Sequence, residues 1–372
     1  MRFDVAIAGG GPAGLAVAIE AAARGLSAVV LERRRWPSDK ACGEGLMPAG
    51  VHALARLGVE IGGDGCTPFV GIRYLQEDGT VAAARFAGAG GLGVRRTALS
   101  DALAARARGL GAVLRENCAV EGFHQQAQSV SVRTSAGSID ARIFVAADGL
   151  ASPLRRLAGL ESGRGPTRRF GVRRHYALAP WSDHVDVHWA DGAEAYVTPA
   201  GPRCVGVAFL WDQARLGRQS FDALLDRFPL LRERLEGAEV ASEDRGAGPL
   251  ERSAQGCVAG RVVLAGDAAG YVDALSGEGL SLAFGHAAAL GAHLEDACDR
   301  GASALASYER SVAQAFRRYA SLTRGLLLLS RHPVLRRRAV RVLAARPELF
   351  SWIVDRAVGD GAGEVPAGVG FA

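Results

Sequence analysis

The apolar positions at the start of the chain are grouped in the way that a strand, a helix and a second strand require. Residues 3–8 are apolar apart from Asp4 and have the length of one buried parallel strand, and residues 27–31 form a second apolar run. The alanine-rich segment 12–24 between them predicts a helix that ends at Gly25. Two later apolar runs, 141–147 and 261–265, predict further buried strands. This order predicts an α/β domain with a parallel sheet.

Two segments break this pattern and change to the two-residue period of antiparallel strands. Residues 67–86 predict a β-hairpin with its turn at Glu77–Thr80, and residues 168–210 predict an antiparallel sheet. Single helices are predicted over 98–108 with Thr97 as its cap, over 221–235 and over 280–297, and residues 303–358 are predicted to be helical throughout. The glycine-rich stretch 88–93 is predicted to be a loop, since no buried strand precedes it.

The expected architecture is therefore a discontinuous α/β domain with an inserted antiparallel domain and C-terminal helices. Its predicted parts are 1–66, 94–165 and 256–300 for the first domain, 67–93 and 166–255 for the inserted domain, and 301–372 for the helical segment.

Glycines at fixed offsets lie between the first predicted strand and helix. Gly9 permits a tight turn, Gly11 lets the backbone approach a pyrophosphate, and Gly14 lets helix and strand pack closely. The free N–H groups at the start of the helix favour phosphate, and Glu32 at the end of the second strand can accept hydrogen bonds from a ribose diol. Because strand, glycines, helix, strand and acid occur in order, we expect a site for an adenine dinucleotide.

The segment after Glu32 contains the next candidate side chains. Arg34 and Arg35 are candidates for adenosine contact, or they belong to a solvated basic loop. Gly43 and Gly45 follow Cys42 closely, which suggests a loop where the backbone passes close to a flat ligand.

Composition narrows the function class. The 372 residues are 49% hydrophobic and 22% charged, as in a soluble enzyme, and the net charge of +5 is too mild to indicate a nucleic-acid partner. The 6 cysteines have no metal-ligand spacing, so we expect no metal and a reducing, cytoplasmic setting. The chain starts with a core strand and has no uninterrupted apolar run of about 18 residues, so neither a signal peptide nor a membrane span is expected.

Two further motifs complete a triple pattern with the glycine fingerprint. Asp148-Gly149 follows the third buried strand, and Gly266-Asp267 follows the last one and precedes Gly277-Glu278-Gly279 at a helix start. Over residues 1–300 this resembles the FAD-dependent superfamily of aromatic-ring hydroxylases (group A flavoprotein monooxygenases) and geranylgeranyl reductases. The resemblance implies a Rossmann-like FAD-binding domain with an inserted substrate domain, and NADPH or NADH as a transient reductant.

The resemblance also implies roles for single residues. Arg96 would lie near the FAD phosphates, Asp267 would contact the ribityl or pyrophosphate region, and Gly277 to Leu280 would face the isoalloxazine. The candidate cofactor-binding residues are Gly9, Gly11, Pro12, Ala13, Gly14, Glu32, Arg33, Ala41, Cys42, Gly43, Arg96, Val120, Asp148, Gly149, Gly266, Asp267, Gly277, Glu278, Gly279 and Leu280.

The local motifs leave the reaction open. Lys40-Ala41-Cys42-Gly43 is similar to the reductase branch, whereas the substrate region lacks that branch's aromatic motif. We expect an NAD(P)H-driven monooxygenase acting on a mid-sized apolar metabolite (aromatic, polyketide or isoprenoid), with a flavin-dependent alkene reductase as the alternative and a non-enzymatic flavin-binding module as a remote one. Cys42 and Glu44 are the candidate catalytic residues, and for Cys42 the alternative is a small buried hydrophobe.

Residues beyond these motifs carry weaker expectations. Side chains that could enter the substrate cavity, if their strand faces allow it, are His175, Tyr176, His184, His188 and Tyr196. The basic C-terminal helices are expected to form a solvated cover on the nucleotide domain, with weak peripheral membrane contact as the alternative. The chain is expected to be a monomer or a homodimer.

Overall fold

The computed structural model describes residues 2–165 and 168–358. The strands are, in chain order, β1 (Arg2–Ala8), β2 (Ala28–Leu31), β3 (Gly45–Leu46), β4 (Cys66–Phe69), β5 (Gly71–Leu75), β6 (Val81–Arg85), β7 (Gly91–Val94), β8 (Val113–Arg115), β9 (Val120–Gln125), β10 (Val130–Thr134), β11 (Gly137–Ala146), β12 (Glu161–Arg164), β13 (Arg169–Tyr176), β14 (His184–Ala190), β15 (Ala193–Gly201), β16 (Cys204–Asp212), β17 (Arg245–Ala247), β18 (Arg252–Ala254), β19 (Val258–Ala259) and β20 (Val262–Leu264).

The α-helices alternate with these strands in the first half of the chain and form a continuous series at its end. They are α1 (Pro12–Ala23), α2 (Pro48–Arg56), α3 (Arg96–Gly109), α4 (Pro153–Leu157), α5 (Gln213–Leu216), α6 (Phe221–Leu225), α7 (Pro229–Arg234), α8 (Gly279–Gly291), α9 (Leu294–Arg300), α10 (Ala306–Arg331), α11 (Pro333–Ala345) and α12 (Pro347–Val358).

A parallel sheet in the order β8-β2-β1-β11-β20 forms the centre of the first domain, with β19 antiparallel at one edge. Strand β1 lies in the middle, where Val5 is paired with Ala28 of β2 on one side and with Ile143 of β11 on the other. The central positions of these strands are apolar and buried, because helices α1 and α3 pack against the sheet. The carboxyl ends of β1, β2, β11 and β20 therefore meet at one edge, where ligands bind in sheets of this kind.

A second sheet has the order β17-β13-β16-β15-β14-β5-β6 and is antiparallel except for the pair β5 and β14. One face packs its apolar side chains, among them Phe209, against α6 and α7. The opposite face is covered by α10, α11 and α12, where Phe350 stacks near Tyr74 and Tyr74 contacts Trp189. This second face also turns toward the first domain.

The predicted fold class is confirmed, and so is the hairpin, since β5 and β6 pair antiparallel across the turn that follows Gln76. The prediction of a loop over 88–93 is wrong for its second half. Residues from Gly91 onward form β7, which pairs with β3 and β4. A Cβ on Gly93 would lie 1.9 Å from the carbonyl oxygen of Pro199, so this glycine serves close strand packing rather than a mobile loop.

The predicted long helices are interrupted, and prolines explain most of the breaks. Pro229, Pro333 and Pro347 each stand at the first helical position of α7, α11 and α12. The helix predicted over 280–297 divides into α8 and α9 near His293. Thr97 does not cap a helix, because α3 already begins at Arg96.

The predicted domain ranges include residues 166–167 and 359–372, which lie outside the described residues. Within the described part of the chain, we find no helix with the length and apolarity needed to cross a membrane.

Candidate functional site

The turn between β1 and α1 is shaped by three glycines that have different neighbours. Gly9 has φ +105°, and a Cβ there would lie 2.3 Å from the carbonyl oxygen of Ala147. A Cβ on Gly14 would lie 2.0 Å from the carbonyl oxygen of Gly9. A Cβ on Gly11, by contrast, would meet only a guanidinium nitrogen of Arg96, at 3.5 Å. The first two glycines are needed by the fold, and Gly11 faces space that a ligand can fill.

Glu32 lies buried at the end of β2, beside this turn. One carboxylate oxygen accepts a hydrogen bond from the Gly10 N–H at 2.7 Å, and the other accepts one from the Arg34 N–H at 3.0 Å. The indole of Trp36 donates to the Gly10 carbonyl at 3.2 Å, which closes the turn from outside. The side chain of Arg33 is exposed. The carboxylate of Glu32 is thus fixed next to the glycine turn, as recognition of a ribose requires.

The Gly266-Asp267 motif reaches the same place from β20. Gly266 has φ +61°, and a Cβ there would lie 2.6 Å from the Cβ of Ala13 in the first turn of α1. Burial raises the pKa of Asp267, while the charges of Arg96 and Lys40 act in the opposite direction. The two motifs, which are far apart in sequence, therefore meet at the N-terminus of α1.

This edge of the sheet fits a group with phosphates. Arg96 is 8% exposed, and its Nε is buried with no hydrogen-bond partner among the described residues. Burial lowers the pKa of Lys40, and the Glu32 charge acts against this shift. A buried guanidinium, an ammonium and the positive end of a helix dipole together favour an anion. The residues present fit the pyrophosphate of FAD, with Gly11 as the cradle.

Asp148 and Gly149 follow β11 at the same edge. The Asp148 carboxylate accepts hydrogen bonds from the Ser152 hydroxyl at 2.6 Å and from the Leu154 N–H at 3.4 Å, so it also holds the start of α4. Burial raises the pKa of Asp148. Contact of Asp148 and Gly149 with the cofactor remains a prediction.

The segment before α8 is bound firmly to α10. The Tyr319 hydroxyl accepts from the N–H groups of Val272 and Asp273 at 3.1 and 3.0 Å and donates to the Asp273 carbonyl at 2.7 Å. Gly277 has φ +72°, and a Cβ there would lie 2.8 Å from the terminal methyl group of Met47. Gly277, Glu278, Gly279 and Leu280 are all partly exposed around the N-terminus of α8. This arrangement suits the predicted contact with the isoalloxazine, which stays a prediction.

A buried ion-pair group supports the same segment from the second sheet. Arg169 on β13 donates to Glu194 on β15 at 2.5 Å and to Asp273 at 2.8 Å. Glu194 also accepts from the Ser330 hydroxyl of α10. Burial raises the pKa of Asp273, and Arg169 opposes that shift. This group was not predicted from the sequence, because its members come from four separate segments.

Glu44 lies in a left-handed backbone conformation, with φ +59°, and is 2% exposed. One carboxylate oxygen accepts from the Arg96 N–H at 2.8 Å, which satisfies a free N–H at the start of α3. The other carboxylate oxygen contacts Nε2 of His175. Glu44 therefore joins the FAD-binding edge to the second sheet.

His175 extends this contact into a hydrogen-bonded chain. Its Nδ1 lies 2.9 Å from the Ser242 hydroxyl and 2.9 Å from a guanidinium nitrogen of Arg173, which in turn binds Asp39. The ring of His175 is fully buried, whereas Ser242 lies next to exposed residues. A carboxylate and an imidazole in direct contact can hold and transfer a proton.

Cys42 is adjacent to this pair. Its Sγ accepts from the Glu44 N–H at 3.4 Å, and burial raises the pKa of the thiol. The group is therefore a thiol and not a thiolate at neutral pH. On the same loop, the Gly43 carbonyl accepts from the Thr198 hydroxyl at 2.8 Å, which ties the loop to β15.

The candidate substrate residues lie on two different faces of the second sheet, because side chains alternate along a strand. His175 and Tyr196 lie on the sheet face that turns toward the first domain, and the Tyr196 hydroxyl donates to the Leu275 carbonyl at 3.0 Å. The opposite face carries Tyr176, His184 and His188. Val120, a predicted cofactor contact, lies in β9, pairs with Thr134 of β10 and packs against the core of the first domain.

Comparison with known proteins agrees with this geometry. The family described as "FAD binding domain" matches residues 2–322. The menaquinone reductase of Mycobacterium tuberculosis is 29% identical over 299 residues, covering 74% of this chain and 72% of the relative. The 12-dehydrotetracycline 5-monooxygenase/anhydrotetracycline 6-monooxygenase of Streptomyces rimosus is 28% identical over 344 residues, covering 78% of this chain and 62% of the relative.

A solved structure of similar fold is the flavoprotein/dehydrogenase from Cytophaga hutchinsonii. Its TM-score is 0.82 at 18% identity, and the match covers 96% of this chain and 93% of that one. The predicted resemblance, the FAD cofactor and the assignment to FAD-dependent oxidoreductases are confirmed by these matches. The chain belongs to the FAD binding domain family.

Proposed function

We propose that the protein is an NAD(P)H-driven monooxygenase acting on a mid-sized apolar metabolite of aromatic, polyketide or isoprenoid type. The observation that carries the proposal is the buried Glu44–His175 pair at the junction of the FAD-binding edge and the second sheet. The similarity to the tetracycline monooxygenase over 344 residues supports it, since a match of that length extends across both domains.

When bound, FAD takes hydride from NAD(P)H and activates molecular oxygen. The chain's contribution begins with holding that cofactor. Gly11, Arg96 and the N-terminus of α1 would bind its pyrophosphate, and Glu32 its adenosine ribose. Tyr319 and the Arg169 group fix the position of the segment before α8, which would hold the isoalloxazine ring.

The proton chemistry would then fall to Glu44, His175 and Cys42. Inserting one oxygen atom consumes O₂, NAD(P)H and one proton and releases water, so a group that supplies or removes protons is needed beside the reacting atoms. The chain from Glu44 through His175 to Ser242 leads from the buried junction toward the surface. We assign acid–base catalysis to Glu44. His175 would hold the Glu44 carboxylate in position.

A flavin-dependent reductase is the second candidate. The menaquinone reductase relative favours it, because that match covers nearly three-quarters of each chain. Cys42 favours it as well, since a protonated thiol can give a proton to the carbanion or quinol anion that forms when an alkene or a quinone accepts hydride.

Oxygen labelling tests the two candidates against each other. The FAD-loaded protein is supplied with NADPH or NADH, ¹⁸O₂ and a panel of polycyclic phenols and polyprenyl quinones. We expect one ¹⁸O atom in the product of a phenolic or isoprenoid substrate, measured by mass spectrometry. Unlabelled product formed equally well without oxygen would contradict the monooxygenase and support the reductase.

A further inference from the structure

The outer surface of the last helices exposes large apolar side chains in a way that the remainder of the described chain does not. Of the 12 exposed large hydrophobic residues, 7 lie on α10–α12. These form the C-terminal apolar face, which we define as Leu328, Val334, Leu335, Val342, Leu349, Trp352 and Ile353. Monomers rarely leave apolar side chains clustered in this way without a partner.

The face follows helical geometry and is not a consequence of fraying. On α12, Leu349, Trp352 and Ile353 occupy one side at spacings of three and four residues, while Phe350 and Val354 are buried on the other. On α11, Val334 and Val342 are exposed while Val340 is buried. Both helices pack their buried sides against β6, so their exposed sides point away from the same strand.

Arginines are interleaved with these apolar side chains. Arg338 and Arg346 are exposed and form no ion pair with a described carboxylate. The Arg356 guanidinium lies 4.6 Å from the Trp352 ring centroid. The neighbouring Arg337 and Arg341 are different, since they bind Glu77 and Asp78 at 2.7 Å.

We propose that the C-terminal apolar face docks the protein on a surface of anionic phospholipid. Apolar side chains on one helix side, flanked by arginines and a tryptophan, match the boundary between acyl chains and negative headgroups. A second copy of the chain fits less well, because a symmetric contact would bring the arginines of the two copies together.

Helix α10 separates the C-terminal apolar face from the candidate functional site. Helix α10 carries Leu328 on its outer side and Tyr319 and Ser330 on its inner side, where they bind Asp273 and Glu194. An apolar metabolite dissolved in the lipid would thus be delivered next to the helix that holds the flavin-facing segment. Docking itself does not depend on which reaction the protein performs.

Vesicle co-sedimentation of the FAD-loaded full chain tests the docking. The probes are vesicles of phosphatidylcholine alone and of phosphatidylcholine with about one-third phosphatidylglycerol. We expect binding to the anionic vesicles that weakens with salt, and at least about fivefold weaker binding to the neutral ones. Absence of wild-type binding to the anionic vesicles would overturn the proposal.

Surface variants locate the contact. Trp352→Gln with Ile353→Gln should reduce binding about tenfold or more, since two apolar anchors are lost. Arg338→Gln with Arg346→Gln should reduce it on the anionic vesicles only. The matched control is Leu157→Gln with Leu230→Gln, two leucines on other helices that are at least as exposed as Trp352 and Ile353.

Further measurements distinguish binding to lipid from contact with a second copy of the chain. Flavin absorbance and melting temperature should be unchanged in all three double variants, because every altered side chain is exposed. If the control pair lowers binding as much as the tryptophan pair, the contact is non-specific and the proposal fails. If the wild type is a dimer in sedimentation velocity that the tryptophan pair dissociates, the face belongs to a second copy and not to lipid.

Discussion

At the scale of single residues, two glycines of one motif should fail in different ways when replaced by alanine. In Gly14→Ala the new Cβ meets the Gly9 carbonyl at 2.0 Å, and backbone must move, which should lower the free energy of unfolding by about 1–3 kcal/mol. In Gly11→Ala the Cβ meets only Arg96 at 3.5 Å, so the apoprotein should keep its stability.

The same Gly11→Ala change should weaken FAD binding about tenfold or more, since the Cβ occupies space needed for phosphate to reach backbone N–H groups. Urea unfolding of both apoproteins and flavin titration of each measure the two effects separately. Equal loss of stability in the two variants would show that Gly11 serves packing, as Gly14 does.

The Glu44–His175 pair makes a second prediction at this scale. Glu44→Gln and His175→Asn should each lower turnover about 10²-fold or more, while flavin content is retained, because either change removes the proton-holding contact. The double variant should be no slower than the more damaged single one, since both belong to one unit. Losses that multiply would mean that the two residues act separately.

The pH profile distinguishes a proton-transfer role from a structural one. For Glu44→Gln we expect a kcat profile whose shape differs from that of the wild type, measured with the substrate found by oxygen labelling. Cys42→Ala serves as the control from the same loop: it keeps the pair intact and should change the profile only if the thiol supplies the proton.

Residue-scale predictability depended on how far apart in sequence the partners lie. Gly9, Gly11, Gly14 and Glu32 belong to one strand–helix–strand unit, so their spacing alone places them together. The partner of Glu44 could not be found in this way. His175 reaches it only through the register of β13 against β16 and the left-handed backbone at Glu44, neither of which leaves a sequence pattern.

At the scale of elements, helix α10 acts as a clamp on the segment before α8. In Tyr319→Phe the N–H groups of Val272 and Asp273 lose their shared acceptor, which should cost about 1–3 kcal/mol of stability. Amide hydrogen exchange should accelerate at these two positions in particular.

Tyr308→Phe is the matched control on the same helix. Its hydroxyl donates to the Leu264 carbonyl at 2.6 Å, so its loss should destabilise the protein without affecting exchange at Val272 and Asp273. Unchanged exchange in Tyr319→Phe would show that the segment is held chiefly by the Arg169 group.

The elements that sequence patterns predicted are those with a strict period or a chemical stop signal. Alternation in 71–85 gave the hairpin, because its two strands are joined by a short polar turn. The unbroken helix over 221–235 was wrong even though Pro229 signals a boundary. Strand β7 could not be predicted from its glycines, since their role is to let the second sheet approach closely.

At the scale of the whole molecule, the order of the strands and the packing of the C-terminal helices could not be predicted from local sequence patterns. The order β8-β2-β1-β11-β20 puts the carboxyl ends of strands from distant segments at one edge, and the apolar runs alone carry no information on that order. The basic C-terminal helices were predicted as a solvated cover on the nucleotide domain, but α11 and α12 pack against β6 of the second sheet. Only the fold shows which of their apolar side chains are buried against β6 and which are exposed.

The stability of the whole fold should fall in weakly acidic solution, because two histidines are buried in the neutral form. Burial lowers the pKa of His286 and of His188 from the usual 6.5 to about 4. Between these values the unfolded chain binds a proton that the folded chain does not, so the contribution is complete above pH 6.5 and is lost as pH falls toward 4. The raised pKa values of buried Asp148 and Asp267 act with the opposite sign, because the folded chain then binds protons more readily than the unfolded chain.

His286 allows this contribution to be isolated. Its Nδ1 accepts from the Gly266 N–H at 3.2 Å, and Asn can replace that acceptor without titrating. Urea unfolding at pH 7.5 and pH 5.0 should therefore show a loss for the wild type that is about 2 kcal/mol larger than for His286→Asn. His124→Asn, at an exposed position, should lose as much as the wild type. If His286→Asn is as acid-sensitive as the wild type, the buried imidazole of His286 is not held in the neutral form at pH 5, and His286 does not cause the acid loss.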